Sequence, residues 1–159
     1  RLVQLDVDSS SLVSSRPLSL QLLGPLTQLR QLTLTCLSTQ QPGWLDHHGG
    51  YLPELTIVMR HGGEPWTDLC AKLMLKWPNL HYATSAFAPK HYPKAIIDFA
   101  NTRGSDKVMF AGYYPALSYE RIFAELEDVP FRDGVWEKFL SGNARRVYGL
   151  SAPPTATQE

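Results

Sequence analysis

The sequence predicts an α/β domain of parallel strands joined by helical crossovers, on three observations. Short apolar runs at residues 55–61 (LTIVMRH), 80–85 (LHYATS) and 107–113 (KVMFAGY) alternate with segments whose apolar residues recur at helical spacing. The connections between them are short, which implies right-handed crossovers in either a doubly wound sheet or part of a (β/α)8 barrel. His61, Ser85 and Tyr113 close the three runs. In either architecture their side chains crowd toward the C-terminal edge of the sheet, the edge where α/β folds bind ligands.

Residues 1–44 differ in character from the rest of the chain. Leucine, serine, threonine and glutamine dominate, and the only charges are Arg1, Asp6, Asp8, Arg16 and Arg30. The shift marks a boundary near residue 45, with 46–150 as the main unit and 151–159 as a tail. Leu26, Leu29, Leu32, Leu34 and Leu37 match the spacing of a leucine-rich repeat. Solenoid units need neighbours to cover their apolar faces, and there is no second copy, so the stretch reads as one strand at about 32–36. Residues 46–51, with two histidines and two glycines, read as a loop.

From residue 51 the period is regular. After the 55–61 run, Pro65 starts a helix on which Trp66, Leu69, Leu73 and Trp77 form the apolar stripe, and Pro78 and Asn79 stop it. Beyond the 80–85 strand, Pro93 opens a helix carrying Ile96, Ile97 and Ala100, closed at Gly104. Past the 107–113 strand, Ser118 caps a helix bearing Ile122, Phe123 and Leu126, which Pro130 breaks. Val135, Trp136, Phe139 and Leu140 stripe another helix, and Gly142–Asn143 stands where a short last helix to Leu150 is capped. The tail has nothing to bury and reads as disordered.

Composition bounds the partners. With 43% hydrophobic and 19% charged residues in a chain of 159, one core can be buried. Fifteen basic residues balance fifteen acidic ones, which removes the electrostatic argument for nucleic acid or an anionic membrane as partner. Cys36 and Cys70 have neither paired nor zinc-ligand spacing, so a reducing, cytoplasmic setting is expected. No apolar run approaches the roughly 18 to 20 residues of a membrane helix, and no basic-then-apolar leader opens the chain.

Four ordered segments, LPELTIVMRHGGEPW, LKWPNLHYATSAFAP, GSDKVMFAGYYP and KFLSGNARRVYGL, closely resemble the second half of the amidohydrolase-related proteins, metal-dependent hydrolases and decarboxylases on a (β/α)8 barrel. The resemblance runs over residues 51–150 and implies a partial barrel whose N-terminal half is missing. It implies that His61 is the histidine ending the sixth strand, an acid or base toward metal-bound water, or an added ligand in binuclear members. Asn143 then opens the last helix, in a capping role. Tyr113 stands where the family normally has an aspartate that ligates metal and accepts a proton. The family's H-x-H pair has no counterpart, and no histidine ends the run at 32–36. The implied cofactor is a divalent metal such as zinc, which needs about three protein ligands in an open site. Only His61 survives from that set. The resemblance thus implies a hydrolase by descent, performing metal-assisted hydrolysis or decarboxylation of a small molecule, with a degenerate or truncated metal site. The alternatives are a metal-free small-molecule-binding or interaction module, or a fragment whose open sheet edges and apolar helix faces favour a homo-oligomer.

His61 is the catalytic candidate, since a free imidazole titrates near neutral pH. Trp66, Ser85 and Tyr113 are the substrate-binding candidates, and no metal ligand is assigned. Each has a plainer alternative. Trp66 and Trp77 fall on a helix stripe and are most simply core. Of Tyr113 and Tyr114, at least one is expected to pack in the core with its polar tip wet. Gly62–Gly63 either permit the turn or present N–H groups to an anion. His47, His48, His81 and His91 are scattered, and Arg145–Arg146 read as a surface pair near a helix C-terminus.

Overall fold

The computed structural model describes residues 3–8, 29–35, 54–63 and 66–151, the first two segments as backbone strands. Five parallel strands form one sheet in sequential order: β1 (Val3–Asp8), β2 (Leu29–Thr35), β3 (Thr56–Arg60), β4 (Leu80–Ala83) and β5 (Val108–Met109). A doubly wound sheet reverses its strand order at a switch point, whereas a barrel lays each strand beside the last. The monotonic order makes this sheet an arc of a (β/α)8 barrel.

The sheet crosses the compositional boundary near residue 45. The strand expected at 32–36 starts earlier, at Leu29, and pairs with β3 through Leu32↔Ile57 and Leu34↔Met59. β1 is an addition to the sequence reading, with Val3, Leu5 and Val7 alternating with Gln4, Asp6 and Asp8. The loop at 46–51, Pro65 as a helix start and the tail beyond Ser151 lie outside the described residues.

Side chains alternate across the sheet. Ile57, Met59, Leu80, Tyr82 and Val108 face the crossover helices in the main core, while Val58, Ala83 and Met109 form a smaller cluster on the opposite face. Helix α1 (Thr67–Lys76) buries Thr67, Cys70, Leu73 and Met74. This corrects the expected stripe: Trp66 precedes the helix and Leu69 lies on its outer side, 37% and 38% exposed. Spacings of three and four residues admit two overlapping faces here, and the point where the chain leaves the turn after β3 selects between them.

Helix α2 (Lys94–Ala100) follows Pro93 and closes as expected, with the Gly104 N–H donating to the Phe99 carbonyl at 2.7 Å. Helix α3 (Tyr119–Leu126) is capped by Ser118, whose hydroxyl accepts from the Arg121 N–H at 3.3 Å. The last two helices are continuous: α4 (Asp133–Glu137) passes through a π turn (Lys138–Gly142) into α5 (Asn143–Tyr148). The wide turn, in which the Asn143 N–H bonds the Lys138 carbonyl, rotates the buried face onto Val135, Phe139 and Asn143 and leaves Leu140 exposed.

Asn143 is therefore not a cap. Its side chain is buried, and Nδ2 donates to the carbonyls of Ser105 and Val108, both at 2.7 Å. Its Oδ1 accepts from Arg146, which also bonds the Asp106 carbonyl. Arg146 is thus tied to the loop before β5. The strand's neighbouring N–H, on Phe110, donates to the Phe139 carbonyl at 2.8 Å. The carbonyls of Lys107 and Met109 face β4, accepting from Tyr82 and Thr84. Alternation along the strand puts Val108 O and Phe110 N on the side away from β4, where the terminal helices take both.

Candidate active site

The chain leaves β3 at Arg60 and turns at once. His61 opens a 3-10 turn (His61–Gly63) in the left-handed region, φ 53°, and Gly63 at φ 61° lets the turn close so that its carbonyl accepts from the Trp66 N–H at 2.8 Å. A left-handed histidine is uncommon and costs backbone energy. Ser85 offsets that cost: the His61 backbone N–H donates to Ser85 Oγ at 3.3 Å, and the same oxygen lies 2.9 Å from Nδ1 of the ring. Ser85 is 1% exposed, two residues beyond the end of β4, and Ala86 after it is also left-handed, at φ 73°. The two non-glycine residues with positive φ among the described residues are thus the imidazole and the neighbour of its partner.

Tyr113 completes the cluster. Its ring meets the His61 ring edge-on, centroids 5.4 Å apart at 88°. The loop that carries it is tied to β4, because the Thr84 hydroxyl accepts from the Ala111 N–H at 3.3 Å, and its own carbonyl accepts from the Leu117 N–H at 3.0 Å. Tyr113 is 40% exposed and Tyr114 is 69% exposed, stacked on Tyr119 at 5.7 Å. Neither tyrosine packs in the core as one was expected to, because β5 ends at Met109 and the chain is already outside the sheet when it reaches them.

The structure brings together His61, Ser85 and Tyr113, the three residues expected at the sheet rim. They stand on the turns just past the strands, since β3, β4 and β5 end at Arg60, Ala83 and Met109. Trp66 is not joined to them by any hydrogen bond or ring contact among the described residues. Ser85 was legible only as a rim residue, and its bond to His61 spans 24 positions that no local pattern connects.

A divalent cation in an open catalytic site needs about three nitrogen, oxygen or sulfur ligands. Among the described residues no three of His, Cys, Asp and Glu come together, and the groups against His61 include a hydroxyl and a phenol ring. The described residues do not fit a metal. His47 and His48 lie outside them.

A second histidine lies deeper. His81, in the middle of β4 opposite Val58, is 5% exposed, with no partner for Nδ1 among the described residues. Burial, and then the positive charges of Lys107 and Arg146, push its pKa down to about 4, so it is neutral at physiological pH. Lys107 is itself lowered to about 8, chiefly by burial, and donates to the carbonyls of Trp77 at 3.1 Å, Pro78, and Leu80 at 3.2 Å. This group lies at the N-terminal end of the strands, the stability face of a barrel.

The Amidohydrolase family model matches residues 44–150, more than half of the chain. No curated protein matches in sequence. Among solved structures, an uncharacterized TIM-barrel protein from Bordetella bronchiseptica is 23% identical with a TM-score of 0.63, over 76% of this chain and 46% of that one. Amidohydrolase 2 from Bifidobacterium longum subsp. infantis is 21% identical with a TM-score of 0.59, over 76% of this chain and 50% of that one. The 2,6-dihydroxybenzoate decarboxylase from Rhizobium is 17% identical with a TM-score of 0.54, over 86% of this chain and 58% of that one. At these identities the likeness is one of fold, and the chain spans about half the length of these structures. Among the described residues no helix is long and apolar enough to cross a membrane.

Proposed function

The chain belongs to the amidohydrolase family, and from that premise we propose that the rim at His61 binds a small carboxyl- or carbonyl-bearing molecule, with His61 moving the proton in its hydrolysis or decarboxylation. The observation that carries this reading is the 2.9 Å contact between His61 Nδ1 and Ser85 Oγ. An imidazole serves as general acid or base when a neighbour fixes its ring, and Ser85 is such a neighbour. The partly exposed Tyr113 ring beside it supplies an aromatic wall for a flat substrate body and a hydroxyl for a polar substituent. Cysteine usage supports a reducing, cytoplasmic setting, and the balanced charge supports a small molecule, not a polyanion, as partner.

A second reading, binding without turnover, is favoured by one observation: three metal-ligating side chains do not converge among the described residues.

One experiment separates the readings. The chain is titrated by calorimetry with 2,6-dihydroxybenzoate, the compound named for a decarboxylase of similar fold, then assayed for turnover with and without added zinc. A panel of aryl carboxylates and amides is tested next. The expected result is binding by wild type and by His61→Asn, with turnover at least ~100-fold lower in the variant. Binding with no turnover under any condition would establish the second reading. Neither binding nor turnover across the panel would overturn both.

A further inference from the structure

We infer that Ser85 is a positioning residue that holds neutral His61 in one tautomer, with the ring proton on Nε2. Ser85 Oγ stands 3.3 Å from the His61 backbone nitrogen and 2.9 Å from its Nδ1. The backbone N–H can only donate, so it occupies one lone pair of Oγ. The hydroxyl has a single proton of its own, and Ser85 is 1% exposed, so that proton needs an acceptor inside the protein. Among the described residues, the acceptor within hydrogen-bonding distance is Nδ1.

With Ser85 donating, Nδ1 uses its lone pair and the ring proton sits on Nε2. The opposite assignment, Nδ1–H donating to Oγ, makes the oxygen accept twice and strands a buried hydroxyl proton. One hydroxyl thus serves the main-chain N–H and the ring of the same residue, whose backbone is left-handed at φ 53°.

The tautomer bears on what the imidazole does in its neutral form. With the proton on Nε2, any hydrogen bond the neutral ring makes at that atom is a donated one, as to a carboxylate or carbonyl oxygen. Acting at Nε2 as a base or as a metal ligand requires the proton to leave that atom and the Ser85 bond to reverse. This consequence for substrate handling rests on the function proposed above, whereas the tautomer itself does not.

Nuclear magnetic resonance tests the inference without reference to turnover. The full chain is labelled with 15N, and long-range proton–nitrogen correlations of the His61 ring, assigned by their loss in His61→Gln, are recorded at a pH where the ring is neutral. The expected spectrum has Nε2 in the protonated range and Nδ1 in the unprotonated range. Ser85→Ala should bring the two nitrogen shifts toward each other as the tautomers exchange, and Ser85→Thr, which keeps the hydroxyl, should retain the wild-type pattern. A wild-type ring protonated on Nδ1 overturns the inference, as does an unchanged pattern in a folded Ser85→Ala. If Ser85→Ala does not fold, the wild-type spectrum still decides the tautomer. An inactive protein with the expected spectrum would count against the proposed function alone.

Discussion

Asn143 reaches across from the last helix to Val108 in the last strand, its Nδ2 donating to a buried carbonyl at 2.7 Å and to the Ser105 carbonyl at the same distance. Removing one partner from a buried hydrogen bond leaves the other without compensation. Asn143→Ala strands both carbonyls and should lower stability by about 3 kcal/mol. Asn143→Asp, which turns a donor into an acceptor facing two acceptors, should cost at least as much. Urea unfolding followed by circular dichroism measures both.

His81 makes stability depend on acidity. Its folded pKa of about 4 lies below the ordinary value of 6.5, so the unfolded chain takes up the proton first. Stability is at its full value above pH 6.5, falls as pH drops below that, and the loss from this group approaches about 3 kcal/mol near pH 4. His81→Leu should flatten the profile between pH 6.5 and pH 5, above the range where most carboxylates titrate. Thermal unfolding across that window checks it, and an unchanged slope in the variant would remove His81 as the cause.

Gly104 has no room for a side chain. A Cβ there would lie 2.2 Å from the Phe99 ring, which is buried in the main core. Gly104→Ala forces that ring out of place and should destabilise the domain by about 2 kcal/mol, the usual range for overpacking. Pairing it with Phe99→Leu in a double-mutant cycle should recover part of the loss, since the shorter side chain vacates the clash.

Ser118 offers a smaller and more local effect. Its hydroxyl satisfies the Arg121 N–H at the start of α3, so Ser118→Ala should cost about 1 kcal/mol and Ser118→Asp should retain most of the stability. Amide exchange would locate the change at the first turn of that helix.

The strands and helices from residue 55 onward were legible in order because their signals are local, although the strands end at Ala83 and Met109, short of the expected Ser85 and Tyr113. A β-branched run ends at His61, a serine precedes Tyr119, and a glycine comes shortly after the Phe99 turn. For the candidate site, the nearness of His61, Ser85 and Tyr113 was legible and their contacts were not, and Trp66, expected with them, is not joined to them. Alternation and short connections put His61, Ser85 and Tyr113 at one rim, yet the bond between the first two spans 24 positions, and no residue pattern announces the positive φ of His61. The buried face of α1 differs from the expected one because Leu73 belongs to both overlapping stripes, and Trp66 and Leu69 lie on the exposed one. β1 gives little local signal because its alternation sits in a leucine- and serine-rich segment, and its parallel partner begins 26 residues later.

The way the terminal helices engage β5 bears on how molecules of this chain meet one another. An edge strand with idle amides and carbonyls is a template onto which a foreign strand adds, the first step toward fibres. Val108 and Phe110 present no such template, since Asn143 and Phe139 of the same chain already occupy their outward groups. The short last strand is thereby guarded from inside the molecule, and a substitution that loosens that guard risks insolubility as well as unfolding.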